Sequence, residues 1–262
     1  MPTTGKGERL EVRNIAKSFG GVLALSGADL KAQPREILSI IGPNGAGKTT
    51  LLNGISGVYP PDRGQVLLDG HDITGLPPYK IAKQGIARTF QNVALFRGMT
   101  VLDNIMLGRN TRMSTGVLEC GIFWGRARRE EIEHRKKVEE IIDFLEITDI
   151  RKTPVGSLPL GLQKRVELGR ALAAEPKVLM LDEPMGGMNL EEKESMARFI
   201  LDVIETTDTA VILIEHDMGV VMDISDHIIV LDQGSKISEG DAEHIRNDPQ
   251  VIKAYLGTPH QD

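Results

Sequence analysis

Short apolar runs broken by glycine, proline and aspartate characterise the first third of the chain. This pattern predicts strands at residues 10–15, 36–41, 65–68 and 87–90. Asp69 and Gly70 follow the third run, and an Asp-Gly pair in that position favours a hairpin turn. We therefore expect a β-rich region that includes the amino-terminal part of the chain.

The middle third changes to helical spacing of its apolar residues. A charged stretch at residues 126–131 leads into Ile132, Val138, Ile141, Ile142 and Leu145 at approximate helical spacing. A further helix is predicted at residues 162–174, where the apolar positions share one face and stop before Pro176. The simplest interpretation is a helical insert from Thr100 to about Thr153.

The last third alternates predicted strands with helices, which is typical of a parallel sheet. Residues 177–181 and 210–214 are apolar without polar alternation, so both faces of these strands should be covered. Residues 228–231 and 236–238 flank a short polar turn and predict a hairpin. Asp248 can cap a final helix that has Pro249 at its first position and Gly257 just past its end.

Composition narrows the class of protein. The chain has 262 residues, 40% of them hydrophobic, and a net charge of −6, which disfavours nucleic acid as a partner. The single cysteine, Cys120, cannot form an internal disulfide, and no apolar stretch approaches the length of a membrane span. The histidines show no metal-ligand spacing. We expect a cytoplasmic protein whose metal, if any, arrives with a nucleotide.

Residues 42–50 carry the strongest chemical signal. They fit the phosphate-binding pattern G-x-x-x-x-G-K-[ST], between a predicted strand and a predicted helix. In such a loop the amide N–H groups and the helix N-terminus face the phosphates, Lys48 reaches the β- and γ-phosphates, and the Thr49 hydroxyl ligates Mg²⁺. The alternative is a glycine-rich turn without a ligand. The predicted nucleotide-binding set is Gly42, Pro43, Asn44, Gly45, Ala46, Gly47, Lys48, Thr49 and Thr50.

Two strand ends add acid–base groups. Asp182 and Glu183 follow an apolar strand, so Asp182 can face the metal and Glu183 can accept a proton from the water that attacks the γ-phosphate. The alternative is a pair of solvated acids at a strand end. His216 lies one strand over and can donate to the γ-phosphate, and Gln91 can meet the metal or the water. Spacing alone establishes neither of these last two roles.

The order of these segments resembles that of an ATP-binding cassette (ABC) ATPase over nearly the whole chain. The matching parts are residues 42–50, Gln91, residues 158–163, 178–183 and 186–189, and His216. The resemblance implies that Gln91 is the Q-loop glutamine, which meets Mg²⁺ and water, and that His216 is the switch histidine. It also implies that Phe19 stacks on adenine, although Phe19 could instead be a core residue near Gly20 and Gly21.

The resemblance implies a fold and its subdivision. We expect an α/β P-loop NTPase core with an antiparallel β subdomain and an inserted helical subdomain. The core with its β subdomain would span residues 8–91 and 164–240, the helical subdomain with the signature region residues 92–163, and a helical tail residues 241–262.

The signature region departs from the family's usual Leu-Ser-Gly-Gly-Gln. Pro159 replaces the serine, so Gly161 and the following helix would have to contact the ATP of an opposite protomer through backbone amides. Asn189 also stands where many relatives have aspartate. We expect weak intrinsic hydrolysis, but a working ATPase because Glu183 is present. The predicted signature set is Leu158, Pro159, Leu160, Gly161, Leu162 and Gln163.

The altered signature, Asn189, the long insert and the ending of the chain resemble most the ATPase subunits of bacterial branched-chain amino-acid uptake systems. The implied partners are membrane permease subunits, a second ATPase subunit in a homodimer or heterodimer, and indirectly a periplasmic solute-binding protein. The implied location is the inner face of the cell membrane. Lipopolysaccharide export, urea or amide transport, and a soluble non-transport ATPase are alternatives.

An apolar segment at residues 92–99 follows Gln91, at the place where the family docks a membrane subunit. Ordinary packing inside the helical insert is the alternative interpretation of this segment. Phe123 and Trp124 are either core residues of the insert, which we favour, or a membrane-facing contact.

Overall fold

The computed structural model describes residues 7–112 and 126–256, and their packing divides the chain into two units. We call the first the sheet unit; it contains Met1–Arg88, Lys177–Pro184 and Ile200–Asp262. The second, the helical unit, contains Thr89–Pro176 and Met185–Phe199. Cys120, Phe123, Trp124 and Gly257 lie outside the described residues.

All strands of the described residues belong to the sheet unit. They are β1 Leu10–Phe19, β2 Val22–Ala32, β3 Ile37–Ile41, β4 Arg63–Leu68, β5 His71–Asp72, β6 Ile86–Arg88, β7 Val178–Asp182, β8 Ala210–Ile214, β9 His227–Asp232 and β10 Ser235–Gly240. The first sheet is antiparallel, in the order β2-β1-β4-β5. The second sheet has the order β10-β9-β3-β8-β7-β6, in which only β10 pairs antiparallel with its neighbour.

The helices of the described residues alternate with these strands and also build the helical unit. They are α1 Lys48–Ile55, α2 Pro78–Gln84, α3 Val101–Leu107, α4 Arg126–Phe144, α5 Leu160–Leu172, α6 Leu190–Thr206, α7 Met218–Ile224, α8 Ala242–Asn247 and α9 Pro249–Leu256. The helical unit holds α3, α4, α5 and α6 as far as Phe199. Among residues 7–112 and 126–256, no helix has both the length and the apolar character that crossing a bilayer requires.

The centre of the parallel sheet is apolar on both faces, as its sequence predicts. Every residue of β3, β7 and β8 is buried. Leu38, Met180 and Ile212 from these strands pack in one cluster with Leu51 and Leu52 of α1. Burial on both faces therefore fixes these strands, and their carboxyl ends lie along one edge of the sheet because the strands are parallel.

Most predicted elements are present with small shifts at their ends. The hairpin at Asp69 and Gly70 joins β4 to β5, and the second predicted hairpin is β9 with β10. The last helix begins at Pro249, and the Asp248 carboxylate accepts from the Gln250 N–H at 2.8 Å, as expected for a cap.

Two predictions of local structure were inexact, and one strand was missed. The strand before Gln91 ends at Arg88, because pairing with β7 stops there, and so Gln91 does not close a strand. The signature helix begins at Leu160, two residues earlier than predicted. β2 was not predicted, because Gly27 interrupts its strand pattern. In the structure Gly27 has a φ of 112°, and the pairing of β2 with β1 contains register shifts.

We expect Ile212→Ala to lower the free energy of unfolding by about 2–5 kcal/mol, because it leaves a cavity in the fully buried centre of β8. Urea unfolding measures this loss. Ile132→Ala is the control: its side chain is 58% exposed, and the change should stay within about 0.5 kcal/mol. Similar losses for the two variants would contradict the placement of Ile212.

Candidate functional site

The loop between β3 and α1 passes very close to the backbone of neighbouring strands at two glycines. Gly42 has a φ of 147°, and a Cβ there would lie 2.0 Å from the carbonyl oxygen of Leu231 at the end of β9. Gly47 has a φ of 98°, and a Cβ there would lie 2.6 Å from the carbonyl oxygen of Ala24 in β2. Only glycine fits these two positions, so the sequence pattern at 42–50 has a direct steric cause.

Lys48 is the first residue of α1 and points back into the loop. Its Nζ donates to the carbonyl oxygens of Gly42 at 2.7 Å and Pro43 at 3.1 Å, and the residue is only 7% exposed. Burial lowers the pKa of Lys48, while the carboxylates of Glu183 and Asp182 oppose this shift. The cation is thus kept inside the loop by neutral carbonyls and by nearby negative charge.

Asp182 ends β7 at the same edge of the sheet. It is 1% exposed, and its Oδ2 accepts a hydrogen bond of 2.8 Å from Nη2 of Arg88 in β6. Nη1 of Arg88 donates to Oδ1 of Asn53 at 2.6 Å and to Oγ of Ser56 at 3.2 Å. Sequence analysis identified Asp182 but missed Arg88, because nothing in the local pattern shows that an arginine inside a short strand faces an acid.

Glu183 and His216 meet beyond the ends of β7 and β8. Glu183 has a φ of 51°, its N–H donates to the carbonyl of Ile214 at 2.9 Å, and its Oε1 lies 2.8 Å from Nε2 of His216. The His216 N–H donates to Oε2 of the buried Glu215 at 3.1 Å. The structure therefore brings a carboxylate that can accept a proton into hydrogen-bond contact with an imidazole.

Phe19 lies at the end of β1 and is 40% exposed. Its ring meets Tyr59 edge-on, with 5.2 Å between the ring centres, and Nζ of Lys17 lies 5.6 Å from the ring centre. The exposure leaves part of an aromatic surface open to a flat ligand, as adenine stacking needs. Sequence analysis did not single out Tyr59.

Gln91 and the signature region belong to the helical unit, whereas the groups above belong to the sheet unit. Gln91 is exposed, and the segment around it is held by Glu167 of α5, whose Oε1 accepts from the Phe90 N–H at 3.4 Å and the Ala94 N–H at 3.3 Å. Burial raises the pKa of Glu167, and these two N–H groups oppose the shift.

The signature region forms the first turn of α5. Pro159 caps the helix without a side-chain hydrogen bond, Leu160 is 44% exposed, and Nε2 of Gln163 donates to the carbonyl of Leu158 at 2.7 Å. A Cβ at Gly161 would lie 2.2 Å from Oε1 of Glu192. The carboxylate of Glu192 therefore lies directly against the signature glycine, within the helical unit.

Glu192 and Asn189 cap α6 reciprocally. The Asn189 N–H donates to Oε2 of Glu192 at 3.0 Å, and the Glu192 N–H donates to Oδ1 of Asn189 at 2.9 Å. A Cβ at Gly187 would lie 2.9 Å from Cδ2 of Leu160. The first turn of α6 and the segment before it thus lie against the start of α5. Sequence analysis missed this link, although Asn-x-x-Glu is a capping pattern.

We expect Gly161→Ala and Glu192→Ala to be energetically coupled by about 1 kcal/mol. In the native protein the added methyl group displaces the Glu192 carboxylate and breaks a cap, which offsets the helix propensity gained from alanine. Without the Glu192 carboxylate, Gly161→Ala should stabilise by about 0.5–1 kcal/mol. Urea unfolding of both single variants and the double variant measures the coupling; additive changes would contradict the contact.

Comparison with known proteins identifies the family. A family model described as ABC transporter matches residues 25–186, and one described as branched-chain amino acid ATP-binding cassette transporter matches residues 235–261. The chain is 43% identical over 249 residues to the high-affinity branched-chain amino acid transport ATP-binding protein BraF of Pseudomonas aeruginosa, covering 95% of this chain and 97% of the relative. It is 39% identical to the corresponding protein LivG of Escherichia coli K12, with coverage of 95% and 97%.

Solved structures agree with the predicted fold. The ADP conformation of MJ1267, an ATP-binding cassette of an ABC transporter, superposes with a TM-score of 0.83 at 32% identity, covering 96% of this chain and all of that one. The dimeric structure of MJ0796, a bacterial ABC transporter cassette, has a TM-score of 0.76 at 25% identity and coverage of 89% and 98%. These likenesses confirm the predicted ABC ATPase fold. The chain therefore belongs to the ABC transporter family as one of its ATP-binding cassettes, and it is an ATPase.

Proposed function

We propose that this chain is the ATP-hydrolysing subunit of an importer for branched-chain or other hydrophobic amino acids. The support is the family match at residues 235–261 together with the similarity to BraF and LivG, which are branched-chain amino acid transport ATP-binding proteins. These similarities favour this solute class over lipopolysaccharide export, urea or amide transport, and a non-transport ATPase. The cargo itself would pass through separate membrane subunits.

The observation that carries the proposal is the arrangement at the carboxyl edge of the parallel sheet. Buried Lys48 points into the glycine-rich loop, and the Glu183 carboxylate lies 2.8 Å from His216. ATP phosphates would take the place of the Gly42 and Pro43 carbonyls around Nζ of Lys48. The loop from Gly42 to Thr50 would supply its amide N–H groups, and Phe19 would stack on adenine.

Magnesium fits the side chains that the sequence assigned to it. The Asp182 carboxylate and the Thr49 hydroxyl offer the oxygen ligands that Mg²⁺ prefers, and Mg²⁺ is usually held by one or two carboxylates plus phosphates. No group of three or more His, Cys, Asp or Glu side chains in the described part of the chain is arranged to hold a metal by itself. When bound with ATP, Mg²⁺ would neutralise phosphate charge, and Gln91 would contact the metal or the water.

Hydrolysis would use the two residues that now contact each other. Glu183 would accept a proton from the attacking water, and His216 would turn its Nε2 from Glu183 to the γ-phosphate. Their 2.8 Å contact holds the two side chains together at the carboxyl edge of the sheet. Glu183 is thus the general base of the proposal, and His216 is the contact to the transferred group.

A second cassette would complete the site. The signature residues Leu158 to Gln163 would face the ATP of that subunit, and a related cassette, MJ0796, is dimeric. The second subunit would be another copy of this chain or a related ATPase. Leu160 and Leu190, 44% and 74% exposed, are apolar groups that such an interface would cover.

Permease subunits would bind the segment at residues 92–99, where Phe96 is 58% exposed. Docking there would hold the ATPase at the inner face of the cell membrane, and the permease would link it to a periplasmic solute-binding protein. Closure of two cassettes on ATP and reopening after hydrolysis would drive the permease between its inward- and outward-facing states.

We expect Glu183→Gln to retain ATP binding and to lower the hydrolysis rate by at least about a hundredfold, because the amide cannot act as a base. Phosphate release measures the rate, and light scattering measures dimer formation. The variant should form an ATP-dependent dimer that persists. Hydrolysis at the wild-type rate would contradict the general-base assignment.

We expect Lys48→Ala to abolish detectable ATP binding, because it removes the one cation that the loop directs at the phosphates. Equilibrium binding of a fluorescent ATP analogue measures the effect. Lys177→Ala is a matched control: Lys177 is a cation of the same unit whose Nζ pairs with Asp69 at 2.6 Å, and its loss should leave ATP binding largely intact. Equal losses of affinity in both variants would refute the assignment of Lys48.

A further inference from the structure

Arg88 is a buried cation to which the proposed mechanism gives no role. Its side chain is 7% exposed, and that of its partner Asp182 is 2% exposed. The 2.8 Å contact between Nη2 and Oδ2 is therefore an ion pair removed from solvent. Burying a charged group is costly unless a partner of opposite charge or several hydrogen bonds compensate it.

Both terminal nitrogens of the Arg88 guanidinium, Nη1 and Nη2, donate hydrogen bonds. Nη1 donates to Oδ1 of Asn53 and to Oγ of Ser56, both near the carboxyl end of α1, the helix that begins with Lys48. The planar fork of arginine allows these contacts and the Asp182 contact at the same time, which a lysine ammonium could not reproduce. The carboxylate of Asp182 is consequently held in one orientation by a side chain that spans β6, β7 and α1.

We propose that Arg88 is a positioning residue that serves as the resident counter-cation of Asp182 until Mg²⁺ arrives with ATP. This inference rests on the proposed metal role of Asp182. Without the metal, Arg88 compensates the charge of the buried carboxylate through the 2.8 Å contact between Nη2 and Oδ2. When a divalent cation binds to the same carboxylate, two positive centres share it and repel each other. Arg88 thus stabilises the metal-free protein and weakens its affinity for Mg²⁺.

Thermodynamic linkage predicts the direction in which loss of the Arg88 charge changes the affinity for Mg²⁺. A substitution that removes the positive charge destabilises the metal-free protein more than the metal-bound protein, so Mg²⁺ must bind more tightly to the variant. A residue that only oriented Asp182 for the metal would give the opposite result. A residue with a purely structural role would lower stability equally with and without Mg²⁺.

The test is Arg88→Gln, which keeps an N–H donor in the side chain and removes the charge. The midpoint of thermal unfolding is measured for the protein alone, with ATP and EDTA, and with ATP and Mg²⁺. We expect a lower midpoint without Mg²⁺ and a larger upward shift on adding it than in the wild type. Titration of the ATP-loaded protein with Mg²⁺ should show about tenfold tighter binding. Unchanged or weaker Mg²⁺ binding would overturn the inference.

Two further variants separate charge from packing. Arg9→Gln removes another ion pair of the sheet unit, that of Arg9 Nη1 with Asp69 Oδ1 at 2.9 Å, and should lower the midpoint equally in all conditions. Arg88→Lys keeps the charge and should bind Mg²⁺ with nearly wild-type affinity. An affinity increase in Arg88→Lys equal to that in Arg88→Gln would assign the effect to geometry rather than to charge and would overturn the inference.

The wild-type protein provides a readout that no folding defect can obscure. In nitrogen-15 spectra of arginine side chains, the Nη groups of Arg88 should rotate slowly without metal and change on addition of Mg²⁺ to the ATP-loaded protein. An unchanged Arg88 signal would refute the inference. If ATP binding to the wild type is itself insensitive to Mg²⁺, the proposed metal role of Asp182 fails instead.

Discussion

The candidate site depends on the parallel pairing of three buried strands. In the register of the sheet, Ile40 of β3 pairs with Ile214 of β8, and Ile214 pairs with Asp182 of β7. The residues that follow this row are the glycine-rich loop, His216 and Glu183. A slip of one residue in any of these strands would exchange the side chains on its two covered faces and disrupt their packing, so core packing also fixes the positions of the chemical groups.

The same edge of the sheet contains several charges that are removed from water, and each has a partner. Lys48 donates to two loop carbonyls, and Arg88 pairs with Asp182. Replacing such partners by nucleotide and metal exchanges one set of interactions for another, and only the difference contributes to affinity. Burial lowers the pKa of Lys48, and its carbonyl partners are neutral, so they compensate its charge less well than phosphates would.

The sequence predicts features that consecutive residues encode, but it does not predict contacts between residues that are far apart along the chain. The glycine-rich loop, the acidic end of β7 and the hairpin at Asp69 are encoded in consecutive residues, and the structure has all of them. The contacts of Arg88 with Asp182 and of Glu192 with Gly161 join residues far apart in sequence, so no local pattern could predict them. The roles of Gln91, His216 and Phe19 came from resemblance rather than from spacing, and they stay predictions.

In the helical unit, as at the sheet edge, a charged side chain lies where a phosphate is proposed to bind, but here the charge is negative. The first turn of α5 begins after Pro159 without a side-chain cap, and the Glu192 carboxylate lies against its second residue, Gly161. A negative charge there is favourable because the amino end of a helix carries partial positive charge. Because this carboxylate also caps α6 through Asn189, any anion that approaches Gly161 meets a negative charge that is itself anchored. The proposed contact of α5 with a phosphate would therefore be weakened by the contact between Glu192 and Gly161.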